Sequence, residues 1–143
     1  MAIKEDKNLF LFEMKGFRSQ AYTANVKRIT DELPSEIAHK VRDSIAAMIG
    51  YNLKLDEYAD DRKQWQTMLK LLSKTHKNIH IIAWVEPERQ SASANKRRTD
   101  LGILQSKLKQ KLAWLTTSVQ VMNIENCNLE GLWVTNMPLK PIV

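Results

Sequence analysis

Cysteine is almost missing from this chain: its 143 residues include one, Cys127. A single thiol excludes an internal disulfide and offers no zinc framework, which fits a reducing cytoplasm. Glycine is scarce as well. Four scattered glycines exclude a Gly-rich phosphate loop and a Gly-x-Ser-x-Gly nucleophile turn. His39, His76 and His80 have no ligand spacing to one another or to Cys127, so a histidine metal centre is not expected. No apolar run approaches membrane-spanning length, and the first residues carry no secretory-signal pattern, so no membrane partner is expected. No internal repeat or interdomain linker interrupts the chain. Residues 1–143 read as one domain, long enough to bury a real core.

What is present is ordinary in bulk and uneven in charge. Apolar residues make up 43% and charged residues 27%, the balance of a globular protein. The net charge is +6 and the pI about 9.5, which favours a polyanionic partner, although many basic domains bind nothing in particular.

The patterning alternates strand and helix. Met1 to Lys4 and Leu9 to Lys15 read as a hairpin across the polar turn 5–8, with Gly16 closing the second strand. Leu9-Phe10-Leu11-Phe12 is apolar on both faces, as in a strand covered on both sides. Residues 17–33 are mixed and polar and read as a loop with at most one helical turn. Pro34 and Ser35 open a helix carrying Ile37, Val41, Ile45, Met48 and Ile49, which Gly50 ends or kinks. A second helix spans 58–73, with Tyr58, Arg62, Trp65, Leu69 and Leu72 on one stripe. Asn78 to Glu86 is a strand that Pro87 stops, and 90–98 is a basic, small-residue loop. Thr99 or Asp100 caps a third helix with Leu101, Leu104, Leu108, Leu112 and Leu115. Ser118 to Ile124 alternates as a strand, Leu132 to Val134 reads as a last short one, and Pro138 and Pro141 mark a tail. Helices between strands imply crossovers and a partly parallel sheet, whose ligands gather at the carboxyl ends of strands. Glu13, Lys15 and Glu86 all lie at such ends.

Glu13 and Lys15 carry the chemistry. Residues two apart on a strand share a face, so a carboxylate and an ammonium project together where the buried strand meets solvent. A carboxylate that can hold Mg²⁺ beside a lysine that can steady a water or a phosphate is half of a phosphodiesterase site. An acid-x-lysine triplet also occurs at Glu5/Lys7 and Asp61/Lys63, but the first falls in a polar turn and the second on a helix, where i and i+2 diverge. The competing reading of Glu13/Lys15 is a solvated strand end whose two charges pair.

Strand, Glu-x-Lys, Gly-Phe-Arg, loop, amphipathic helix, strand, helix, strand: this order resembles the restriction-endonuclease-like nuclease superfamily, the PD-(D/E)xK fold. The likeness extends over most of the chain, and its one sharp motif is Glu13/Lys15. It implies an α/β restriction-endonuclease-like core, a mixed central sheet flanked by helices. It implies Mg²⁺- or Mn²⁺-dependent endonuclease hydrolysis of nucleic acid, DNA above all, within a defence or repair system. Glu13 would be a catalytic and metal-binding carboxylate, and Lys15 would be catalytic, orienting the attacking water or stabilising charge on the phosphate.

The family's aspartate, on the preceding antiparallel strand, has no match. A hairpin turn over 5–8 pairs Lys4 with Leu9, Ile3 with Phe10, Ala2 with Leu11 and Met1 with Phe12. The partner of Glu13, and the family's leading helix, would then precede Met1. The expectation is a nuclease core without its first third: truncated, completed by a second subunit, or no longer catalytic. The alternative function is a non-catalytic nucleic-acid-binding or scaffold subunit.

Other features divide between plain and sharper readings. Glu36 and Lys40, one turn apart, read as a surface i, i+4 pair, although in the fold resembled this helix flanks the site. Lys96, Arg97 and Arg98, with Lys107, Lys109 and Lys111, form a basic cluster suited to phosphate. Arg18, Lys27 and Arg28 just after the motif are similar. Lysine runs are more often solvated faces. Trp65, Trp84, Trp114 and Trp133 sit among aliphatic residues and read as core.

Overall fold

The structure, a computed structural model, describes residues 2–5, 8–17, 27–53, 62–74, 78–86 and 93–127. Among these residues the elements run β1 (Ala2–Glu5), β2 (Asn8–Gly16), α1 (Leu33–Leu53), α2 (Arg62–Lys74), β3 (Ile79–Glu86), α3 (Ala94–Leu112) and β4 (Val119–Met122). The chain is mixed α/β. One sheet has the order β1-β2-β3-β4, with β1 antiparallel to β2 and the other three parallel. The hairpin register is the expected one: Lys4 faces Leu9, Ile3 faces Phe10 and Ala2 faces Leu11. Met1 lies outside the described residues. No helix among the described residues is long and apolar enough to cross a membrane.

Parallel register sorts the strand residues by parity, because side chains alternate between faces. Leu9 lies opposite Ile79 and Leu11 opposite Ile81, while Ile81 and Ala83 lie opposite Val119 and Val121. These residues are buried in one cluster with Ile37, Val41 and Met48 of α1, Leu71 of α2, and Leu101, Leu104, Leu108 and Leu112 of α3. The i, i+3, i+4 spacing of the helical leucines places them on one stripe toward the sheet. Burying each such side chain contributes about 1.5–3 kcal/mol. On the even-numbered face Phe10 stacks on His80 with centroids 4.8 Å apart, and Met14 is 69% exposed. His80 Nδ1 also shares a hydrogen bond with Ser118 Oγ at 2.8 Å, and burial holds the His80 pKa below its ordinary value.

Several element bounds differ from the sequence reading. A π-helical turn, Arg28–Glu32, runs directly into α1, so part of the supposed loop 17–33 is helical. Pro34 sits in the first turn of α1, as expected, but does not begin the helical winding. It has no N–H to give the Thr30 carbonyl, and the wider winding sits directly upstream, closed by Leu33 N–H donating to Arg28 O. Gly50 does not end α1, which continues to Leu53 and leaves Ile49 exposed. The α2 stripe keeps Trp65 and Leu72 against the core as expected, but among the described side chains it is Leu71 that is buried, with Met68 packed beside it. Trp65 stacks on Tyr51 at 4.9 Å, joining α2 to α1. Helix α3 begins at Ala94 rather than at Thr99 or Asp100, because Ser93 caps it by accepting the Lys96 N–H at 3.3 Å. Asp100 is instead buried inside the helix. Tyr58, Leu132 to Val134, Pro138 and Pro141 lie outside the described residues.

Candidate functional site

Beyond Leu11 the helix-facing side of β2 changes from apolar to charged. Glu13 and Lys15 take the next two inward positions, opposite the buried Ala83 and Val85 of β3. Their side chains keep 19% and 21% exposure, so both charges are held part-way out of water. The strand geometry expected of the motif is present, with both groups on one face at the carboxyl end of a parallel strand.

Helix α1 meets these charges. Lys40 Nζ donates to Glu13 Oε1 at 2.5 Å, and Lys15 Nζ donates to Glu36 Oε1. Lys15 Nζ also lies 3.7 Å from Glu13 Oε1. Arg28, from the π turn, brings Nη2 to 4.0 Å from Glu36 Oε2 while its guanidinium lies over the Phe17 ring, 5.7 Å from the centroid. The result is an alternating row, Lys40, Glu13, Lys15, Glu36, Arg28, with a cation at each end. Three cations against two anions leave the row with a net charge of +1.

The electrostatics follow from those contacts. The hydrogen bond from Lys15 holds the Glu36 carboxyl below its ordinary pKa, against an opposing effect of burial. The hydrogen bond to Glu13 holds the Lys40 ammonium above its ordinary value. Both shifts favour the charged forms of Glu36 and Lys40. Both carboxylates converge on one ammonium, that of Lys15, within 4 Å.

This geometry corrects the reading of Glu36 and Lys40 as a surface pair. Each pairs with β2 rather than with the other. Four helical residues rise about 6 Å and two strand residues about 6.6 Å, so the two spacings match when helix and strand run in opposite directions. The complementary order of charge, Glu-x-Lys on the strand and Glu-x-x-x-Lys on the helix, was the available signal.

The remaining predicted residues are not gathered here. Glu86 ends β3 on the opposite face, where its Oε1 accepts the Ile124 N–H at 2.7 Å and ties the strand end to the turn after β4. Residues 90–92 of the supposed basic loop lie outside the described residues, and 94–98 belong to the start of α3. Within it Arg97 is turned inward, its side chain 10% exposed and bonded to Glu125 at 3.2 Å, which removes it from a surface phosphate patch. Lys96 and Arg98 are exposed. Arg18 lies outside the described residues. Lys107 pairs with Asp31 at 2.9 Å, joining α3 to the π turn and holding the Asp31 pKa down. Trp114 is not core: it is 56% exposed.

Among the described residues no cluster of three or more His, Cys, Asp or Glu side chains forms a protein-only metal cage. Two converging carboxylates nevertheless suit Mg²⁺, which keeps several waters and is commonly held by one or two carboxylates plus substrate phosphate. No family model matches the chain, and neither a curated protein nor a solved structure matches it.

Proposed function

We propose that this domain is a restriction-endonuclease-like hydrolase acting on phosphodiester bonds of nucleic acid, with DNA as its substrate and Mg²⁺ or Mn²⁺ as its cofactor. The observation that carries the reading is the convergence of Glu13 and Glu36 on the Lys15 ammonium at the carboxyl end of a parallel strand. Glu13 and Glu36 would hold the ion, which supplies Lewis-acid polarisation of the scissile phosphate when bound.

The chain's own residues have distinct parts in this reading. Lys15 donates to a phosphate oxygen as charge builds on it, which places a fixed cation where the transition state needs one. Arg28 and Lys40 flank the row and attract the polyanion, and Lys40 also fixes the Glu13 carboxylate. The net charge of +1 disfavours a free divalent ion and favours a bound phosphate. Metal therefore binds weakly until nucleic acid supplies further oxygens, and the domain by itself is a weak catalyst until a partner or second subunit adds an acid.

One observation favours the second reading, a non-catalytic nucleic-acid-binding or scaffold subunit of a defence or repair complex. Each carboxylate is already neutralised by a lysine. Calorimetric titration with Mn²⁺, with and without a DNA duplex, separates the two. The hydrolase reading expects binding that DNA strengthens and Glu13→Ala abolishes, with plasmid cleavage lost in Lys15→Ala. Absence of metal binding under both conditions, with DNA affinity equal in wild type and Glu13→Ala, would leave the scaffold.

A further inference from the structure

The flank of α1 turned away from the charged row opens on a groove against α3. It encloses about 260 Å³ and is lined by Ser35, Ala38, His39, Arg42, Lys111 and Trp114. No acid lines it. Arg42 and Lys111 bring positive charge from its two walls, and Arg42 also donates through Nε and Nη2 to Oδ1 of the exposed Asp43 at 3.3 Å.

Trp114 is presented rigidly. It lies between Leu112 and Leu115, which are buried at 0% and 7% exposure. The Leu115 and Thr116 N–H groups both donate to the Leu112 carbonyl, at 2.9 and 3.0 Å. Thr116 Oγ1 donates to the Ile79 carbonyl at 2.7 Å, which fastens the turn to the sheet. An indole that is 56% exposed on so firmly held a turn is a platform rather than a side chain left over from packing.

An exposed aromatic ring that shares a groove with two cations suits single-stranded nucleic acid. Bases stack on the ring, and the cations neutralise the flanking phosphates. A duplex keeps its base faces inside its own stack, so it offers Trp114 nothing to stack on. We infer that the α1/α3 groove is a contact site for single-stranded nucleic acid, in which an unpaired base stacks on Trp114 while Arg42 and Lys111 hold the adjacent phosphates. The site needs no metal and no contribution from Glu13 or Lys15. It therefore goes beyond the hydrolase reading and stands or falls separately from it.

The test is fluorescence anisotropy of the full chain with a labelled twelve-nucleotide oligothymidylate and with a duplex of equal length. EDTA is present throughout, so the outcome does not depend on whether Glu13 holds an ion. The expected result is tighter binding of the single strand, quenching of tryptophan emission, and affinity that falls steeply with salt. Trp114→Ala should weaken single-strand binding about 5- to 150-fold, and Trp114→Phe, which keeps a ring, should retain most of it. Arg42→Ala and Lys111→Ala should each lower the slope of log affinity against log salt by about 0.7. If Trp114→Ala fails to fold by circular dichroism, Trp114→Phe and the two cation variants decide the matter. Equal binding of single strand and duplex, or wild-type affinity in Trp114→Ala, would overturn the inference. So would salt-insensitive self-association that Trp114→Ala abolishes, which would assign the groove to a second copy of the chain.

Discussion

The two halves of β2 share a strand, a face and a register with β3, yet they are stabilised by different means. Leu9 and Leu11 are buried to 0% and 4% exposure against Ile79 and Ile81. Glu13 and Lys15 remain about one-fifth exposed and answer charges on α1, although β3 beside them stays apolar through Ala83 and Val85. The sheet could have continued apolar on both strands. Part-buried ion pairs add little net stability, because desolvation offsets most of the attraction. Charge at 13 and 15 is therefore not what folding requires of this face, whereas the leucines are.

Four experiments with substituted chains probe that contrast. The largest effect belongs to the apolar half: Leu9→Ala should lower the unfolding free energy by about 2–5 kcal/mol in urea denaturation. A loss below about 1 kcal/mol would mean the site collapses around the cavity and the contrast is weaker than drawn. Next comes Lys15→Ala, which leaves Glu36 and Glu13 facing each other without their shared cation and should cost about 1–3 kcal/mol at neutral pH. Replacing Lys15 by Met together with Glu36 by Leu should bring stability back near wild type, since an apolar pair costs no ionic desolvation. If the double variant is as unstable as the single one, the charges do contribute to folding. A double-mutant cycle on Lys40→Met and Glu13→Gln should give a smaller coupling, about 0.2–1 kcal/mol, because Lys40 is nearly half exposed.

The smallest effect is on pH dependence. The Glu36 pKa is lowered on folding, so the native state holds its proton less tightly than the unfolded chain does. The stability this confers is complete above its ordinary value near 4.5 and disappears as pH falls through the lower folded value. Lys40 is shifted upward, so its contribution is complete below about 10.5 and disappears as pH rises beyond the folded value. Thermal unfolding between pH 5 and pH 3 should therefore be shallower in Glu36→Gln than in wild type. Identical slopes would show that Lys15 does not favour the charged form of Glu36.

Much of the scaffold was legible because local rules fixed it. A tight turn sets hairpin register, and the pairing of Lys4, Ile3 and Ala2 with Leu9, Phe10 and Leu11 follows directly. The leucines of α3 announced a buried stripe by their spacing alone. What escaped was structure set by competing signals. The start of α3 was hidden because Lys96-Arg97-Arg98 places cations at the positive end of a helix, where the dipole opposes them, while the capping Ser93 looked like one more loop serine. The helical winding over 27–32 was hidden because Pro34 sits where a helix commonly starts. Glu13 and Lys15 were legible as a pair, but Glu36 and Lys40 looked self-sufficient. Only the antiparallel run of α1 along β2 exchanges their partners. Arg97 shows the opposite error: a charge counted as surface lies mostly inside, because Glu125 reaches it across the fold.

The widened turn at Arg28–Glu32 has a consequence for any lineage that gains or loses a residue there. Each residue of an α-helix advances the spiral by about 100°. Removing Thr30 would convert the segment to ordinary winding without disturbing Ile37 or Val41, which the sheet grips downstream. Everything upstream would swivel by about that angle. Arg28 would leave both the Phe17 ring and Glu36. A one-codon deletion far from Glu13 would thus unclip one terminal cation from the row and turn Ile29, 2% exposed, out of the hydrophobic interior.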